Sequence, residues 1–247
     1  MTNKISNVNA NAIEQLQNQL NAHHIDRFCF NIYPVQNDLN RTLVPSVKYN
    51  NVETYRKIKF IIASDNKALQ IFQDYFKHFA HRNQYFGTKF KLGPTLCPVD
   101  KHAKKLCSKW KEHFKNLGAV TVIHWLIAMP NGYIASFNLF SSKECAIIES
   151  SLEKGKRQLQ HILDLYATYF IFHHIGKLNP PVNYNGLSSR GVNILKMLAK
   201  GDSLDDIANE MFLTQRGICY HVDKMKAILD CSNRSELIKK AKDLGIL

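Results

Sequence analysis

The stretch from Ser203 to Leu229, SLDDIANEMFLTQRGICYHVDKMKAIL, decides the fold of the C-terminal part of this chain. Ser203 and Thr214 each stand directly before a helical pattern, and both residue types cap helix N-termini. The connection between the two patterns, Phe212-Leu213, is short enough to force a sharp angle. The second helix carries apolar residues at spacings of four, three and four, which predicts one buried stripe: Ile218, Val222, Met225 and Leu229.

Two more short helices complete this part of the chain. Ser188 is placed to cap one of them, and Gly201 stands where that helix should end. Asn233 and Glu236 have capping-box spacing at the start of the last helix. The sequence therefore predicts an all-α four-helix domain over residues 187–247. A helix that is held on such a scaffold with its outer face free is how a major-groove reader is built.

The same residues carry a resemblance to a known family. The LuxR-type helix-turn-helix pattern is matched in order and without a gap by Leu187-Ser188-Ser189-Arg190, Leu195, Ala199-Lys200-Gly201, Ile207-Ala208, Thr214, Ile218, His221 and Arg234. The resemblance implies a transcription regulator that reads double-stranded DNA with the third helix of this domain. The residues predicted to contact DNA are Arg190, Thr214, Gln215, Arg216, Cys219, Tyr220, His221, Asp223 and Lys224.

The recognition helix also departs from the family pattern. The family has acidic residues at Gly191 and Asn193, a Thr at Gly217, and usually Lys at Cys219. Cys219, Tyr220 and Asp223 occupy the base-reading positions, and none is a guanine-seeking Arg or Lys. The alternative function is therefore an interaction protein whose altered helix-turn-helix modulates another regulator without reading DNA.

A linker is predicted at residues 179–186, because its paired prolines and its Asn and Gly flanks favour turns. It separates a sensor and dimerisation domain (1–178) from the DNA-binding domain (187–247). The first domain is predicted to have helices over 11–20, 66–80, 99–117 and 143–177, and strands over 27–33, 120–128 and 133–140. Asn131-Gly132 between the last two strands indicates a hairpin. The predicted fold class is α+β, with an α/β/α sandwich around an antiparallel sheet, similar to PAS or GAF sensors.

The first domain is similar to the autoinducer-binding domain of LuxR-type quorum-sensing regulators in Leu117-Gly118-Ala119, in the hairpin and in the long helix after it. That resemblance implies a regulator of the quorum-sensing type that either responds to a small-molecule ligand or is an orphan without one. Asn51 stands where the family has a Trp, which argues against a conventional acyl-homoserine lactone because the lactone carbonyl would lose its donor. The predicted ligand-binding residues are Tyr55, Asp65, Trp110 and Trp125, with simple core packing as the alternative for the aromatic residues.

Composition and net charge limit which partners, membrane association and cofactors are expected. The 247 residues carry a net charge of +13, which suggests a polyanionic partner, but residues 186–247 hold only ten basic against eight acidic residues. No apolar run approaches the roughly 18 residues of a membrane span, so a soluble cytoplasmic protein is expected. Six cysteines without a zinc-like spacing predict no metal and no cofactor.

The chain is not expected to be an enzyme, since it has no phosphate-cradling glycine loop, nucleophile elbow or His-Glu-x-x-His motif. A homodimer is predicted, because two-fold operators favour two-fold proteins. The surfaces expected to form it are the long helix and the last helix, the latter through Leu237, Ile238 and Leu244.

Overall fold

The computed structural model describes residues 10–33, 52–82, 91–98, 107–129 and 133–247. Within them, the strands form one five-stranded antiparallel sheet in the order β2-β1-β5-β4-β3. The strands are β1 (Arg27–Tyr33), β2 (Ile62–Ala63), β3 (Gly93–Pro98), β4 (Thr121–Ala128) and β5 (Ile134–Ser141). The helices of this domain are α1 (Ala10–Asn21), α2 (Val52–Arg56), α3 (Asn66–Asp74), α4 (Cys107–Asn116) and α5 (Cys145–Leu178).

The sheet is covered by helices on both faces. On one face, Phe28, Phe30 and Ile32 of β1 pack with α1 and α5, and the Phe30 ring lies 5.2 Å from that of Phe170. On the other face, alternate residues of the same strands pack against α2, α3 and α4. Successive side chains of a strand point to opposite faces, so both layers follow from one register. The predicted α/β/α sandwich is confirmed.

The hairpin between β4 and β5 is paired from Thr121 opposite Ser141 to Ala128 opposite Ile134. Its closing bond runs from the Met129 amide to the Tyr133 carbonyl at 2.8 Å, and the predicted turn residues 130–132 lie outside the described residues. Three described elements of the first domain were not predicted: α2, β2 and β3. β3 contains two prolines and lies at the edge of the described sheet, where proline is tolerated.

The predicted helices agree with the structure within a few residues where they are described. The helix predicted over 66–80 is α3, which continues as a π-helical turn (Tyr75–Phe79) and a short 3₁₀ turn (Ala80–Arg82). The helix predicted over 99–117 corresponds to α4, and residues 99–106 lie outside the described part of the chain. No described helix is both long enough and apolar enough to cross a membrane.

The C-terminal region has a core of its own. Its helices are α7 (Ser189–Lys200), α8 (Leu204–Glu210), α9 (Gln215–Leu229) and α10 (Arg234–Asp243). The four predicted N-caps are confirmed, since Ser188, Ser203, Thr214 and Asn233 each accept a hydrogen bond from the amide three residues later. Gly201 ends α7 in the left-handed region, with φ of 97°, as predicted.

The segment predicted as a linker is packed against the first domain and includes a short helix, α6 (Pro180–Asn183). The prolines are accommodated because they occupy the first helical turn, where amide donors are not needed. Asn183 is fully buried, and its side-chain oxygen accepts from the amides of Phe60 at 2.8 Å and Lys59 at 3.1 Å. Its amide group donates to the Phe60 carbonyl at 2.9 Å. Residues 179–186 are therefore not a loose tether, whereas the domain boundaries stay a prediction.

The end of α10 also contacts the first domain. The Tyr133 hydroxyl donates to the Leu244 carbonyl at 2.6 Å, and the side-chain amide of Asn179 donates to the same oxygen. Leu244 packs against the cores of both domains, and Leu237 is fully buried in its own. The expectation that Leu237 and Leu244 form a free dimer surface was wrong, because both side chains are used within one chain.

Gly186 should not tolerate a side chain. A Cβ there would lie 2.9 Å from the Pro181 carbonyl oxygen, which already accepts from the Leu187 amide at 2.7 Å. We expect Gly186→Ala to lower the free energy of unfolding by about 1–3 kcal/mol through this overlap. The matched control is Gly176→Ala in α5, where nothing lies within 4 Å of the new Cβ and helix propensity should raise stability. Urea unfolding measures both, and equal effects of the two substitutions would refute the steric explanation.

Candidate DNA-binding interface and sensor face

The outer face of α9 is free of contacts with the domain core. Ile218, Val222, Met225 and Leu229 are buried as predicted. The outer side of the helix is exposed at Gln215, Arg216, Tyr220, Asp223 and Lys224. It is half-buried at Cys219 and His221. Tyr220 keeps 64% of its surface exposed, which is unusual for a large aromatic residue without a partner to cover it.

The N-terminus of α9 is held by Thr214, whose Oγ1 accepts from the Gly217 amide at 3.1 Å. This cap fixes the first turn, so that exposed Gln215 and Arg216 stand at the positive end of the helix dipole. Arg190 is exposed in the first turn of α7. Helix N-termini and nearby guanidinium groups are suited to phosphate oxygens. That these residues contact DNA stays a prediction.

Two features, one in α9 and one in the turn before it, were not predicted from the sequence. The Asp223 carboxylate pairs with Lys226 Nζ at 2.8 Å, one helical turn away, so part of its negative charge is offset within the helix. Phe212, in the turn before α9, is 94% exposed and has φ of 53°, in the left-handed region. The (i, i+3) spacing of the ion pair is visible in the sequence, whereas the backbone angle of Phe212 is not.

Packing explains one departure from the family pattern. Gly191 is buried in α7, and a Cβ at this position would lie 3.3 Å from the Met225 sulfur of α9. An acidic side chain here would meet the apolar back of the recognition helix. Glycine at 191 therefore fits a close approach of α7 to α9 that the family's acidic residue would not allow without a shift.

The first domain carries a second feature, a buried polar cluster on the sheet face that packs against α2 and α3. Its members are Asn31, His124 and Ser136 on the strands, together with the hydroxyl of Tyr184 from the segment after α6. The His124 Nε2 and Ser136 Oγ atoms lie 3.1 Å apart, and the Asn31 side-chain amide donates to the Tyr184 hydroxyl at 2.7 Å. Tyr33 extends the cluster. Its ring centroid lies 5.8 Å from that of His124 and 5.5 Å from that of Tyr55.

This polar cluster has unused hydrogen-bonding capacity. Asn31 is 1% exposed, and its side-chain oxygen has no hydrogen-bond partner among the residues that the structure describes. His124 and Asn138, opposite each other on β4 and β5, keep some accessible surface although both strands lie inside the sheet. Burial lowers the pKa of His124 to about 4, so its imidazole is neutral near pH 7. A buried polar group that is not paired is costly, so such groups are often kept for a ligand.

The structure does not bring the four predicted ligand-binding residues together. Tyr55 is buried on the face of the polar cluster and stacks on Phe76 at 4.8 Å. Trp125 is buried on the opposite face, where its indole nitrogen donates to Gln160 at 2.8 Å. Trp125 points from β4 to the face of α1 and α5, whereas Tyr55 of α2 packs on the other face, so the sheet lies between them. That these residues bind a ligand stays a prediction.

The other two residues predicted to bind a ligand are Asp65 and Trp110. One Asp65 oxygen accepts from the Ala68 amide at 2.7 Å as the cap of α3, and the other pairs with Arg27 at 2.9 Å. The side chain of Trp110 lies outside the described residues. Asn31, His124 and Ser136 were missed, although single polar residues inside apolar strands are the signal that would have found them.

The C-terminal region matches a known protein family. Residues 185–241 match the family model described as bacterial regulatory proteins, luxR family. The C-terminal domain is therefore a luxR-family helix-turn-helix domain. No curated protein matches the chain by sequence.

Three solved structures are similar to the chain over most of its length. The crystal structure of Escherichia coli SdiA is 15% identical, with a TM-score of 0.45, over 98% of this chain and 93% of that one. SdiA in complex with octanoyl-rac-glycerol is 15% identical, with a TM-score of 0.43, over 97% and 90%. The phage VqmA-DPO complex is 14% identical, with a TM-score of 0.26, over 94% and 91%.

His124 should make stability depend on pH. The pKa of His124 falls from 6.5 in the unfolded chain to about 4 in the folded one. Below pH 6.5 the unfolded chain therefore binds a proton that the folded protein does not. The contribution of His124 to the free energy of unfolding is fully present above pH 6.5 and decreases as the pH falls toward 4. This difference in pKa corresponds to at most about 3 kcal/mol in the free energy of unfolding. We expect His124→Gln to unfold with a flatter pH dependence between 6.5 and 4 than the wild type, measured by urea unfolding. The control is His161→Gln, exposed on α5; if both variants keep the wild-type slope, His124 is not the group responsible.

Proposed function

We propose that this protein is a ligand-responsive transcription regulator of the quorum-sensing type, and that it reads DNA with α9. The observation that carries the proposal is the exposed outer face of α9, held by a capped turn on a luxR-family scaffold. We assign it no catalytic role and place its action in the cytoplasm, where bacterial DNA lies. The proposed DNA contacts are Arg190, Thr214, Gln215, Arg216, Cys219, Tyr220, His221, Asp223 and Lys224.

The charge distribution supports a division of roles within this interface. The C-terminal domain carries a net charge of only +2 over residues 186–247, because eight acidic residues offset ten basic ones. Phosphate attraction in the domain therefore depends on a few exposed groups such as Arg216 and Lys224 rather than on a broad basic surface. The excess of 23 basic over 12 acidic residues in the first 185 helps to attract the DNA from a distance.

The polar cluster of the sheet supports a small-molecule site in the first domain. It combines a neutral imidazole, tyrosine rings and a buried amide oxygen that has no partner among the described residues. The members named for the cluster carry no charged side chain. Such groups suit an uncharged ligand with a few hydrogen-bonding atoms. In this proposal the ligand-binding side chains are Asn31, His124 and Ser136, with Tyr55 as an apolar wall.

A homodimer is part of the proposal, formed through α5. Leu165, Thr168 and Phe172 are exposed at spacings of three and four, so they lie along one face of the helix. Leu165 and Phe172 expose 61% and 79% of their surface, which is unfavourable unless a second copy covers them. A two-fold axis along this face would present two copies of α9 to a two-fold operator.

Arg216→Ala should weaken DNA binding irrespective of sequence. We expect a lower affinity and a salt dependence flatter by about one unit, because one phosphate contact is removed. Gel shifts over a series of salt concentrations measure both quantities. The control is Arg157→Ala, which removes the same charge from an exposed position on α5. An unchanged slope for Arg216→Ala would show that this arginine does not contact phosphate, and a wild type without any salt-dependent binding would favour an interaction protein instead.

Tyr220 and Asp223 should determine which bases are preferred. Each is expected to contribute about 1–3 kcal/mol of discrimination at its own base pair. Asp223→Lys breaks the pair with Lys226 and should raise affinity for unrelated DNA while weakening the preferred motif. Selection from a random oligonucleotide library measures the motif, with Asp243→Lys at the exposed end of α10 as a control for charge. The same motif from wild type and Asp223→Lys would mean that α9 is not the reader.

Phe172→Glu should dissociate the dimer. A carboxylate on the α5 face would be buried against its own copy, and we expect dimer affinity to fall at least about tenfold. Sedimentation at micromolar concentration, with and without DNA, measures the change. Phe212→Glu is the matched control, because it places the same charge on another exposed phenylalanine. A wild type that stays monomeric in the presence of DNA would contradict the dimer.

A further inference from the structure

Tyr184 lies between the two domains, directly after α6, but its ring is inserted into the first domain. Only 3% of its surface is exposed. Its hydroxyl accepts from the Asn31 side-chain amide at 2.7 Å and donates to the Ile32 carbonyl at 3.1 Å. The ring meets Tyr55 edge-on, with centroids 5.8 Å apart. The segment that leads to the helix-turn-helix domain thus supplies a member of the buried polar cluster.

The backbone around Tyr184 is connected to both domains. Asn183, its neighbour, is bonded through its side chain to Lys59 and Phe60 of the first domain. Three residues after Tyr184, Leu187 is buried in the core of the C-terminal domain, and its amide donates to the Pro181 carbonyl at 2.7 Å. A movement of Tyr184 out of the sheet face would therefore move the start of the helix-turn-helix domain as well.

The chemistry of Asn31 indicates what would displace Tyr184. The amide nitrogen of Asn31 is bonded to the tyrosine hydroxyl, whereas its oxygen has no partner within the described part of the chain. A molecule that donates to this oxygen and accepts from the nitrogen would pair both halves of the amide, which the tyrosine hydroxyl does not do. The matching class is a small uncharged compound with adjacent donor and acceptor, such as a lactam, a primary amide or a hydroxylated ring.

A second contact is linked to the same segment. Asn179 donates to the Leu244 carbonyl at the end of α10, beside the hydroxyl of Tyr133. Asn179 and Tyr184 flank α6, so a shift of α6 acts on the contact at Leu244 and on the one at Asn31 together. These two hydrogen-bonded contacts add to apolar packing between the domains, such as that of Ile228 and Leu244 against the cores of the first domain.

We propose that Tyr184 is an internal competitor for the sensor site. An uncharged ligand takes its place as hydrogen-bond partner of Asn31, and the departure of Tyr184 frees residues 179–186 and the domain that follows. The regulatory role rests on the proposed ligand-responsive function. The competition for Asn31 does not, and it is testable without DNA.

The first test replaces Tyr184 and supplies its side chain as a free molecule. Tyr184→Ala leaves a space beside Asn31, and the probe is p-cresol, which has the atoms of the tyrosine side chain. We expect p-cresol to raise the melting temperature of Tyr184→Ala in a saturable way and to leave the wild type unchanged. Toluene, which lacks the hydroxyl, should bind about three- to tenfold more weakly. This difference should shrink in Tyr184→Ala with Asn31→Leu, where only the bond to the Ile32 carbonyl remains for the hydroxyl. A folded Tyr184→Ala that binds neither probe would overturn the proposal.

The second test does not require a cavity. Tyr184→Phe removes only the hydroxyl, so we expect the amides of residues 179–187 and of 241–247 to exchange hydrogen about three- to tenfold faster. Tyr166→Phe is the matched control, since it removes another bonded hydroxyl, one that accepts from Gln19 at 3.4 Å. Unchanged exchange in both segments would overturn the coupling. Gel shifts of the wild type test the proposed DNA binding separately, so a failure there leaves these two results interpretable.

Discussion

The antiparallel register of β1, β5 and β4 is the constraint on which the rest of the structure depends. Because side chains alternate along each strand, this register assigns Phe30, Phe137 and Trp125 to the face of α1 and α5. It assigns Asn31, Ser136 and His124 to the opposite face, where Asn31 bonds to Tyr184 and His124 lies beside Ser136. A slip of one residue would exchange the two sets and bury the polar groups in the aromatic core. The polar cluster and the docking of the interdomain segment are thus consequences of one pairing.

Two buried asparagines hold the segment between the domains in place. Asn183 uses its side chain in the way an additional strand would use its backbone, by bonding both the amide and the carbonyl of Phe60. Asn179, four residues earlier, reaches the end of α10. Because each side chain has donors and an acceptor, asparagine can satisfy buried backbone groups on a short path that has no room for a ladder. The contact between the domains therefore depends on specific hydrogen bonds as well as on apolar area.

Local signals in the sequence predicted much of this architecture, and contacts between distant residues account for what was not predicted. The caps Ser188, Ser203 and Thr214 and the stop at Gly201 act within one helical turn, so the sequence alone was enough to locate the helices. The burial of Asn183 depends on residues 123 positions away, and a Pro-Pro pair gives no indication of that partner. The aromatic residues were predicted to bind a ligand on the basis of residue type alone. Which of them share a face of the sheet is decided by the strand register. The residues that carry hydrogen-bonding capacity, Asn31 and His124, were visible only as interruptions of apolar strands.

The length of α5 has a mechanical consequence. This helix runs unbroken for 34 residues, and near its start Gly155 lies so close to His23 that an added Cβ would be 2.5 Å from the imidazole. From Gly155 to Leu178 the helix extends for about 35 Å, so a tilt of roughly 5° about this contact would move its far end by about 3 Å. That end continues directly into Asn179, whose amide still bonds to the Ile175 carbonyl at 2.8 Å. A small rotation of α5 beside His23 would therefore be amplified into a displacement of several ångströms where the C-terminal domain begins.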